Sequence, residues 1–156
     1  MTRMKLLSFA ILLIAGCADT APIVITNGGR EVVEFVVKRP SRTENAVVLR
    51  LERTEKRFRD WLRIEIPAWG RDEEDVLYGT MKVKAEYLRD YDNGHLERAN
   101  DLQDGKVRIL RSSGLAGANY RFECAITFRQ VLDESGKELG KKTFEMTFDA
   151  PLRERQ

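Results

Sequence analysis

The sequence predicts an all-β domain, an antiparallel β-sandwich, that follows a short N-terminal segment of different character. The first observation is a repeated alternation of apolar and polar residues with a period of two, the pattern of a strand with one buried face. The second is the frequency of turn residues, because Asn-Gly, Asp-Gly and Pro divide the alternating stretches at short intervals. Short strands joined by tight turns are typical of sandwiches and small barrels.

Eight stretches have the composition or the alternation of strands. The clearest is 120–132, in which Phe122, Ile126 and Phe128 share one face. The stretch 77–88 alternates throughout, which predicts one long strand with Met81 among its inward residues. In chain order, the predicted strands are 22–26, 31–38, 46–53, 61–66, 77–88, 107–111, 120–132 and 139–148.

The connections are predicted from their turn chemistry. Asn27-Gly28-Gly29 and the stretches 90–94 and 133–137 have the residues of tight turns. Pro40 and the polar residues at 41–45 predict the end of the second strand. The stretch 95–102 is predicted as one short helix.

Immunoglobulin-like topology is the favoured arrangement of these strands. Tyr120 stands at the head of a late strand after a loop of small residues, a position that resembles a tyrosine corner. The Cys…Trp…Cys set of antibody domains is missing from the sequence. A small open β-barrel is the alternative.

The N-terminal segment has the three parts of a secretory signal peptide. Arg3 and Lys5 give a positive start, and residues 6–15 form an apolar run with a single serine. This run is too short for a transmembrane helix, which needs about 20 residues to cross the hydrocarbon core. Its length and its flanks suit the core of a signal peptide.

The end of this run, Ile14-Ala15-Gly16-Cys17, resembles the lipobox of bacterial lipoproteins. The resemblance covers the first 17 residues and implies that the Cys17 thiol receives diacylglycerol, that cleavage follows Gly16, and that the new amino terminus is acylated. Two or three acyl chains, such as palmitate, would anchor the protein essentially permanently. The implied organisation is a signal peptide at 1–16, lipidated Cys17 with a tether at 17–21, a β-sandwich domain at 22–150 and a charged tail at 151–156.

The residues after Cys17 bear on location. Ala18 rather than Asp follows the cysteine, and under the sorting rule of enteric bacteria this resemblance implies the periplasmic face of the outer membrane. The inner membrane and the cell surface are the alternatives. Residues 18–21 reach at most about 14 Å, so the domain is expected to sit against the membrane surface.

Charge and cysteine content exclude two classes of site. Arg3 and Lys5 belong to the predicted signal peptide, so the 27 basic residues of the precursor fall to 25 and equal the 25 acidic ones. A near-neutral chain without a basic stripe is not predicted to bind nucleic acid. With Cys17 lipidated, Cys124 has no partner for an intramolecular disulfide and no second thiolate for a zinc site. Cys124 is expected to be buried and reduced.

No catalytic residue, metal or cofactor is predicted. His95 is the only histidine and stands beside a predicted turn, without a nucleophile motif such as G-x-S-x-G. The stretch 90–94, DYDNG, departs from a calcium loop because Gly94 is its fifth residue rather than its sixth. Four acids at 72–75 are typical of a solvated loop.

Trp69 is the residue that the strand pattern leaves unassigned. It lies between Pro67 and Gly70 and is followed closely by Arg71. Because Trp and Arg are enriched at binding hot spots, Trp69 and Arg71 are the candidate partner-binding residues. The alternative is that Trp69 folds back and covers the end of the sandwich.

These observations favour a membrane-anchored lipoprotein of the cell envelope whose β-sandwich binds a protein or another envelope component without catalysis. The grounds are the anchor, the short tether and the lack of a catalytic constellation. One alternative is a subunit of an envelope secretion or assembly machine, which rests on an analogy of architecture alone. The other is an envelope hydrolase or metal-dependent enzyme that uses His95 and nearby acids.

Overall fold

In the computed structural model the chain is an all-β protein. The structure describes residues 23–26, 29–32, 35–70, 73, 75–112 and 119–154, and twelve strands lie within them. In chain order they are β1 (Ile23–Thr26), β2 (Gly29–Val32), β3 (Val36–Arg42), β4 (Ala46–Thr54), β5 (Phe58–Pro67), β6 (Asp75–Tyr78), β7 (Lys84–Tyr91), β8 (Leu96–Ala99), β9 (Leu102–Ser112), β10 (Asn119–Asp133), β11 (Glu138–Pro151) and β12 (Arg153–Glu154).

The strands form one curled, open sheet with the shape of a half-barrel. Their order is β12-β3-β4-β5-β7-β8-β10-β11-β1-β2, while β9 pairs with β10 and β6 pairs with β9. The described pairs are antiparallel except that β12 runs parallel to β3. We call β3, β4, β5 and β7 the first half of the sheet, and β9, β10, β11 and β1 the second half.

The all-β, antiparallel class predicted from the sequence is confirmed, and the alternative of a small open barrel fits the curled sheet. The immunoglobulin-like sandwich is not confirmed, because the strands belong to one continuous sheet rather than to two stacked ones. Periodicity identifies which face of a strand is buried, but it does not say whether two halves are joined by hydrogen bonds.

The alternation explains why these residues form strands. In β4, Val47, Leu49 and Leu51 are completely buried while Arg50 points into solvent. Each such aliphatic side chain contributes about 1.5–3 kcal/mol when it leaves water. The largest fully buried side chains are Phe122, Phe128, Phe144, Phe148, Leu49, Leu51, Leu62, Ile64, Ile66, Ile109, Ile126 and Val47.

Aromatic side chains close the core between the two halves. The ring centroid of Tyr87 in β7 lies 5.2 Å from that of Phe144 in β11 and 6.5 Å from that of Phe128 in β10. Phe35, just before β3, meets Phe144 edge-to-face at 6.2 Å. The curl of the sheet therefore brings inward residues of both halves into one core.

The strands begin and end on two opposite sides of the sheet, which we call its ends, and different residues lie at each. At the first, which we call the Trp69 end, Ala46 pairs with Pro67 and Tyr120 pairs with Ala150. At the other, which we call the His95 end, Phe58 pairs with Tyr91. The described turns of the His95 end are 55–57, 92–95 and 134–137. Gly94 and Gly136 have φ of 86° and 83° there, as the predicted tight turns require.

The single long strand predicted at 77–88 is wrong. The segment divides into β6 and β7 around a turn in which the Lys82 amide donates to the Gly79 carbonyl. The Thr80 hydroxyl anchors this turn to β9 by donating to Asp104 Oδ1 and accepting from the Gly105 amide. Met81, predicted inward, is 96% exposed. Polar contacts to another strand override the alternation here.

Two further local predictions are corrected. The helix predicted at 95–102 is wrong, because this segment forms β8 and the start of β9 and pairs with β7 and β10. Pro40 does not end its strand. It lies inside β3 at a register shift between Lys38 and Ser41, and a bulge accommodates proline because no ladder hydrogen bond is required there.

The predicted domain boundaries are only partly visible in the structure. Residues 1–16 and 17–21 lie outside the described part of the chain. Of the charged tail predicted at 151–156, Pro151 ends β11, and Arg153–Glu154 form β12 against Ser41 and Arg42 of β3.

Candidate functional site

The structure describes only one of the three site residues predicted from the sequence. Cys17, the predicted lipidation site, and Arg71, a candidate partner-binding residue, lie outside the described residues. Trp69 is described and follows β5 by two residues.

Trp69 lies in the core at the Trp69 end of the sheet and is only 4% exposed. Its ring meets Tyr120 and Phe122 edge-to-face, with centroids 5.6 Å and 6.4 Å apart. The Arg42 guanidinium lies 5.3 Å from the centroid of the indole, and it donates a hydrogen bond to the Trp69 carbonyl. This geometry favours the alternative in which Trp69 covers the end of the core, and its partner-binding role stays a prediction.

A second tryptophan, which the sequence analysis did not single out, lies on the outer face of the first half. Trp61 of β5 stands opposite Leu88 of β7 and opposite Glu52 of β4. A groove of about 280 Å³, which we call the Trp61 groove, opens over these strands. Its outward lining residues are Arg50, Glu52, Trp61, Arg63, Glu86 and Leu88.

One row of outward residues across the first half of the sheet is partly apolar. The register places Val36, Glu52, Trp61 and Leu88 side by side in β3, β4, β5 and β7. Leu88 is 37% exposed, Val36 is 62% exposed, and Trp61 is half-buried. This row offers a partner an aromatic ring with one aliphatic neighbour, Leu88, and one charged neighbour, Glu52, although the outer face of a sheet is normally its polar face.

Ion pairs hold the charged rim of the Trp61 groove in place. Arg63 Nη2 lies 2.6 Å from Glu65 Oε2, and Arg63 Nη1 lies 3.8 Å from Glu86 Oε2. Lys38 Nζ lies 3.3 Å from Glu52 Oε2. Exposed pairs of this kind contribute about 0–1 kcal/mol to stability. For a binding partner, these ion pairs matter because they fix the positions of the charged groups beside the indole of Trp61.

A polar network crosses the core near the His95 end. Asp60 of β5 is 2% exposed and accepts two hydrogen bonds from Arg89 of β7, at 2.7 Å and 2.9 Å. The Tyr87 hydroxyl donates to Asp60 Oδ1 at 3.1 Å. Lys142 of β11, 8% exposed, donates to the Tyr87 oxygen at 2.7 Å. The network thus joins the second half of the sheet to the first.

The electrostatics of this network favour a fixed protonation state. Burial, reinforced by the Asp60 charge, raises the pKa of Tyr87 far above its ordinary value. Burial alone would lower the pKa of Arg89, but its hydrogen bonds to Asp60 outweigh this effect and raise that pKa. Because Tyr87 and Arg89 keep their protons, they act as hydrogen-bond donors and do not transfer protons. The network therefore has a structural role, because it holds the two halves of the sheet together.

The other chemically notable side chains are separate from these sites. His95 Nδ1 lies 2.8 Å from Glu134 Oε1 in an exposed pair between two turns. Cys124 is buried in β10, where burial first and the Glu123 charge second raise the pKa of its thiol to about 12. Within the described residues, no group of three or more His, Cys, Asp or Glu side chains is arranged to hold a metal ion.

Among the described residues, no helix is long and apolar enough to cross a membrane. Comparison with protein-family models, with curated proteins and with solved structures finds no match for this chain.

Proposed function

We propose that this chain is a lipid-anchored protein of the bacterial envelope whose β domain binds a protein partner through the Trp61 groove. The anchor is proposed from the lipobox resemblance and would be lipid on Cys17. The proposed location is the periplasmic face of the outer membrane, because Ala18 follows the cysteine. The domain is proposed as a binding module without catalytic activity.

The observation that carries this proposal is the apolar pair of Trp61 and Leu88, partly exposed on the outer face of the first half. The outward neighbours of Trp61 along β5, Arg59, Arg63 and Glu65, are charged, whereas Trp61 and its cross-strand neighbour Leu88 are apolar. Tryptophan surrounded by arginine is the composition most enriched at binding hot spots. An apolar centre with a charged rim is also the usual anatomy of a protein interface.

The chemistry of the groove defines the partner. Trp61 and Leu88 favour an apolar side chain that packs on top of both, which excludes water from the indole. Arg50, Arg63 and Glu86 form the neighbouring row across β4, β5 and β7, and Glu52 stands directly opposite Trp61. Charges of both signs within one rim select a partner whose polar groups match that arrangement, and they disfavour a uniformly charged ligand.

Replacing Trp61 by alanine should weaken partner binding by about 2 kcal/mol or more, roughly 30-fold. The stability of the domain should change by only about 1 kcal/mol, because the indole lies on the outer face of the sheet and is partly exposed rather than packed in the core. The measurement is photo-crosslinking in cells from a benzoylphenylalanine at position 88, with and without Trp61→Ala. We expect one discrete adduct that the substitution abolishes while the melting temperature stays almost unchanged.

The matched control carries the photo-crosslinker at Glu145, an exposed outward residue of β11 in the other half. Position 145 should give no such adduct. Identical adducts from positions 88 and 145, or an adduct that persists in Trp61→Ala, would exclude the groove as the binding site.

Replacing Cys17 by serine should abolish lipid attachment and release the protein from the membrane fraction, because a serine hydroxyl cannot form the thioether. Metabolic labelling with palmitate, followed by membrane fractionation, measures both effects. Cys124→Ser is the control and should label normally, because Cys124 is buried in β10. Equal labelling of Cys17→Ser and the unmodified chain would overturn the proposed anchor.

A further inference from the structure

The register of β1 shows from which side the tether reaches the domain. Ile23, the first described residue, pairs with Glu145 of β11, and Thr26 pairs with Lys142. Because the two strands are antiparallel, the N-terminal end of β1 points toward the side on which β11 continues to Ala150. That side is the Trp69 end of the sheet.

The number of residues before Ile23 limits how far the anchor extends from the sheet. Cys17 precedes Ile23 by six residues, which span at most about 21 Å when fully extended. From Glu145 to Pro151, β11 covers about 20 Å along the strand axis. A lipid on Cys17 therefore reaches about as far as the last residue of β11, and hardly beyond it.

The length of the tether also excludes the orientation in which the His95 end faces the membrane. From Glu145 to the beginning of β11 at Glu138 is about 23 Å, and the turn at 134–137 lies farther still. To reach the bilayer on that side, the tether would have to reverse its direction at Ile23 and then exceed its full length. The His95 end is therefore out of reach of a membrane that holds Cys17.

We infer that the lipid surface contacts the Trp69 end of the sheet and that the His95 end points away from the membrane. This inference rests on the proposed lipidation of Cys17. The described surface that faces the headgroups comprises the turn at 43–45, Arg121 and the end of β11. The bilayer is the occupant of this described surface, because a tether of six residues reaches no farther than the end of β11.

The orientation also decides how the Trp61 groove is presented. Trp61 is three residues from the His95 end of β5 and six residues from its other end at Pro67. Six strand residues correspond to about 20 Å. The groove therefore opens sideways and clear of the headgroups, where a partner in the aqueous compartment reaches it.

The test places a fluorophore at one end of β4 or at the other. Asn45→Cys and Lys56→Cys put a label in the exposed turns on either side of this strand, about 30 Å apart. The native Cys124 is buried and reacts slowly, and the chain without an added cysteine measures that background. The lipidated full chain is purified from membranes and reconstituted in phosphatidylcholine–phosphatidylglycerol vesicles that contain a headgroup-nitroxide lipid.

The dye at position 45 should lose most of its emission to the nitroxide, while the dye at position 56 should keep nearly all of it. Equal quenching at both positions would mean that the domain lies on its side, and stronger quenching at 56 would mean that it is inverted; either result overturns the orientation. Flotation of the vesicles tests the anchor separately. Protein that floats but shows no difference refutes the orientation alone, and protein that does not float refutes the anchor and the orientation together.

Discussion

Replacing Asp60 by asparagine should lower the free energy of unfolding by about 3–5 kcal/mol, because it leaves the charge of Arg89 in a largely buried site without its counter-charge. Arg89 is 17% exposed and makes both of its short hydrogen bonds to Asp60. Tyr87 would lose its charged acceptor at the same time. Thermal unfolding should show a fall in the melting temperature on the order of 10 °C or more.

Two variants separate the buried charge from general effects. Asp92→Asn, in an exposed turn of the same end, should change stability by less than about 0.5 kcal/mol. Tyr87→Phe keeps the ring in the core but removes the hydroxyl that links Lys142 to Asp60, and it should cost about 1–3 kcal/mol. If Asp60→Asn melted at the same temperature as Asp92→Asn, the network would contribute nothing to joining the halves.

Replacing Trp69 by alanine should destabilise the domain by about 3–5 kcal/mol, the usual cost of removing a large aromatic side chain from a core. The ring is 4% exposed and packs edge-to-face on Tyr120 and Phe122, so a cavity would open at this end of the sheet. Chemical denaturation measures the loss. Trp61→Ala is the matched control, because it removes the same side chain from the outer face and should cost only about 1 kcal/mol.

The variant Trp69→Phe tests how much the unpaired indole nitrogen of Trp69 costs in stability. The Nε1–H of Trp69 is buried without an acceptor among the described residues, and an unpaired buried donor costs about 1–3 kcal/mol. Phenylalanine removes that donor and keeps an aromatic ring beside Tyr120, so this variant should lose far less stability than Trp69→Ala. Measuring partner binding of the same Trp69 variants also tests the partner-binding role predicted for Trp69. Loss of binding in a variant that melts normally would restore Trp69 as a partner contact.

The alternation of residues was sufficient to predict most of the core. In 46–53 and 120–132, the residues predicted to point inward, such as Leu49, Phe122 and Phe128, are buried in the structure. Asp60 and Lys142 also occupy inward positions, because each has the same parity as the apolar residues that follow it. The sequence thus contained a sign of buried charge, but it did not identify the partners.

The missed elements share one physical cause. In the stretch 77–88 the alternation is real, yet the Thr80 hydroxyl bonds to a strand more than twenty residues away and the chain turns there. The segment 95–102 has no strong periodicity, so pairing with β7 and β10 decides that it is extended. Local pattern describes which surfaces a segment can bury, whereas its partners are set by the rest of the chain.

The sequence by itself determined the β class, the buried face of each clear strand and the tight turns at 90–94 and 133–137, because these depend on side-chain period and on local backbone chemistry. Only the tertiary structure decided that both halves belong to one curled sheet, that Lys142 and Asp60 meet through Tyr87, and that Trp69 is inside while Trp61 lines a groove. The reason is that all three depend on contacts between residues distant in sequence, which exist only once the sheet has curled on its core.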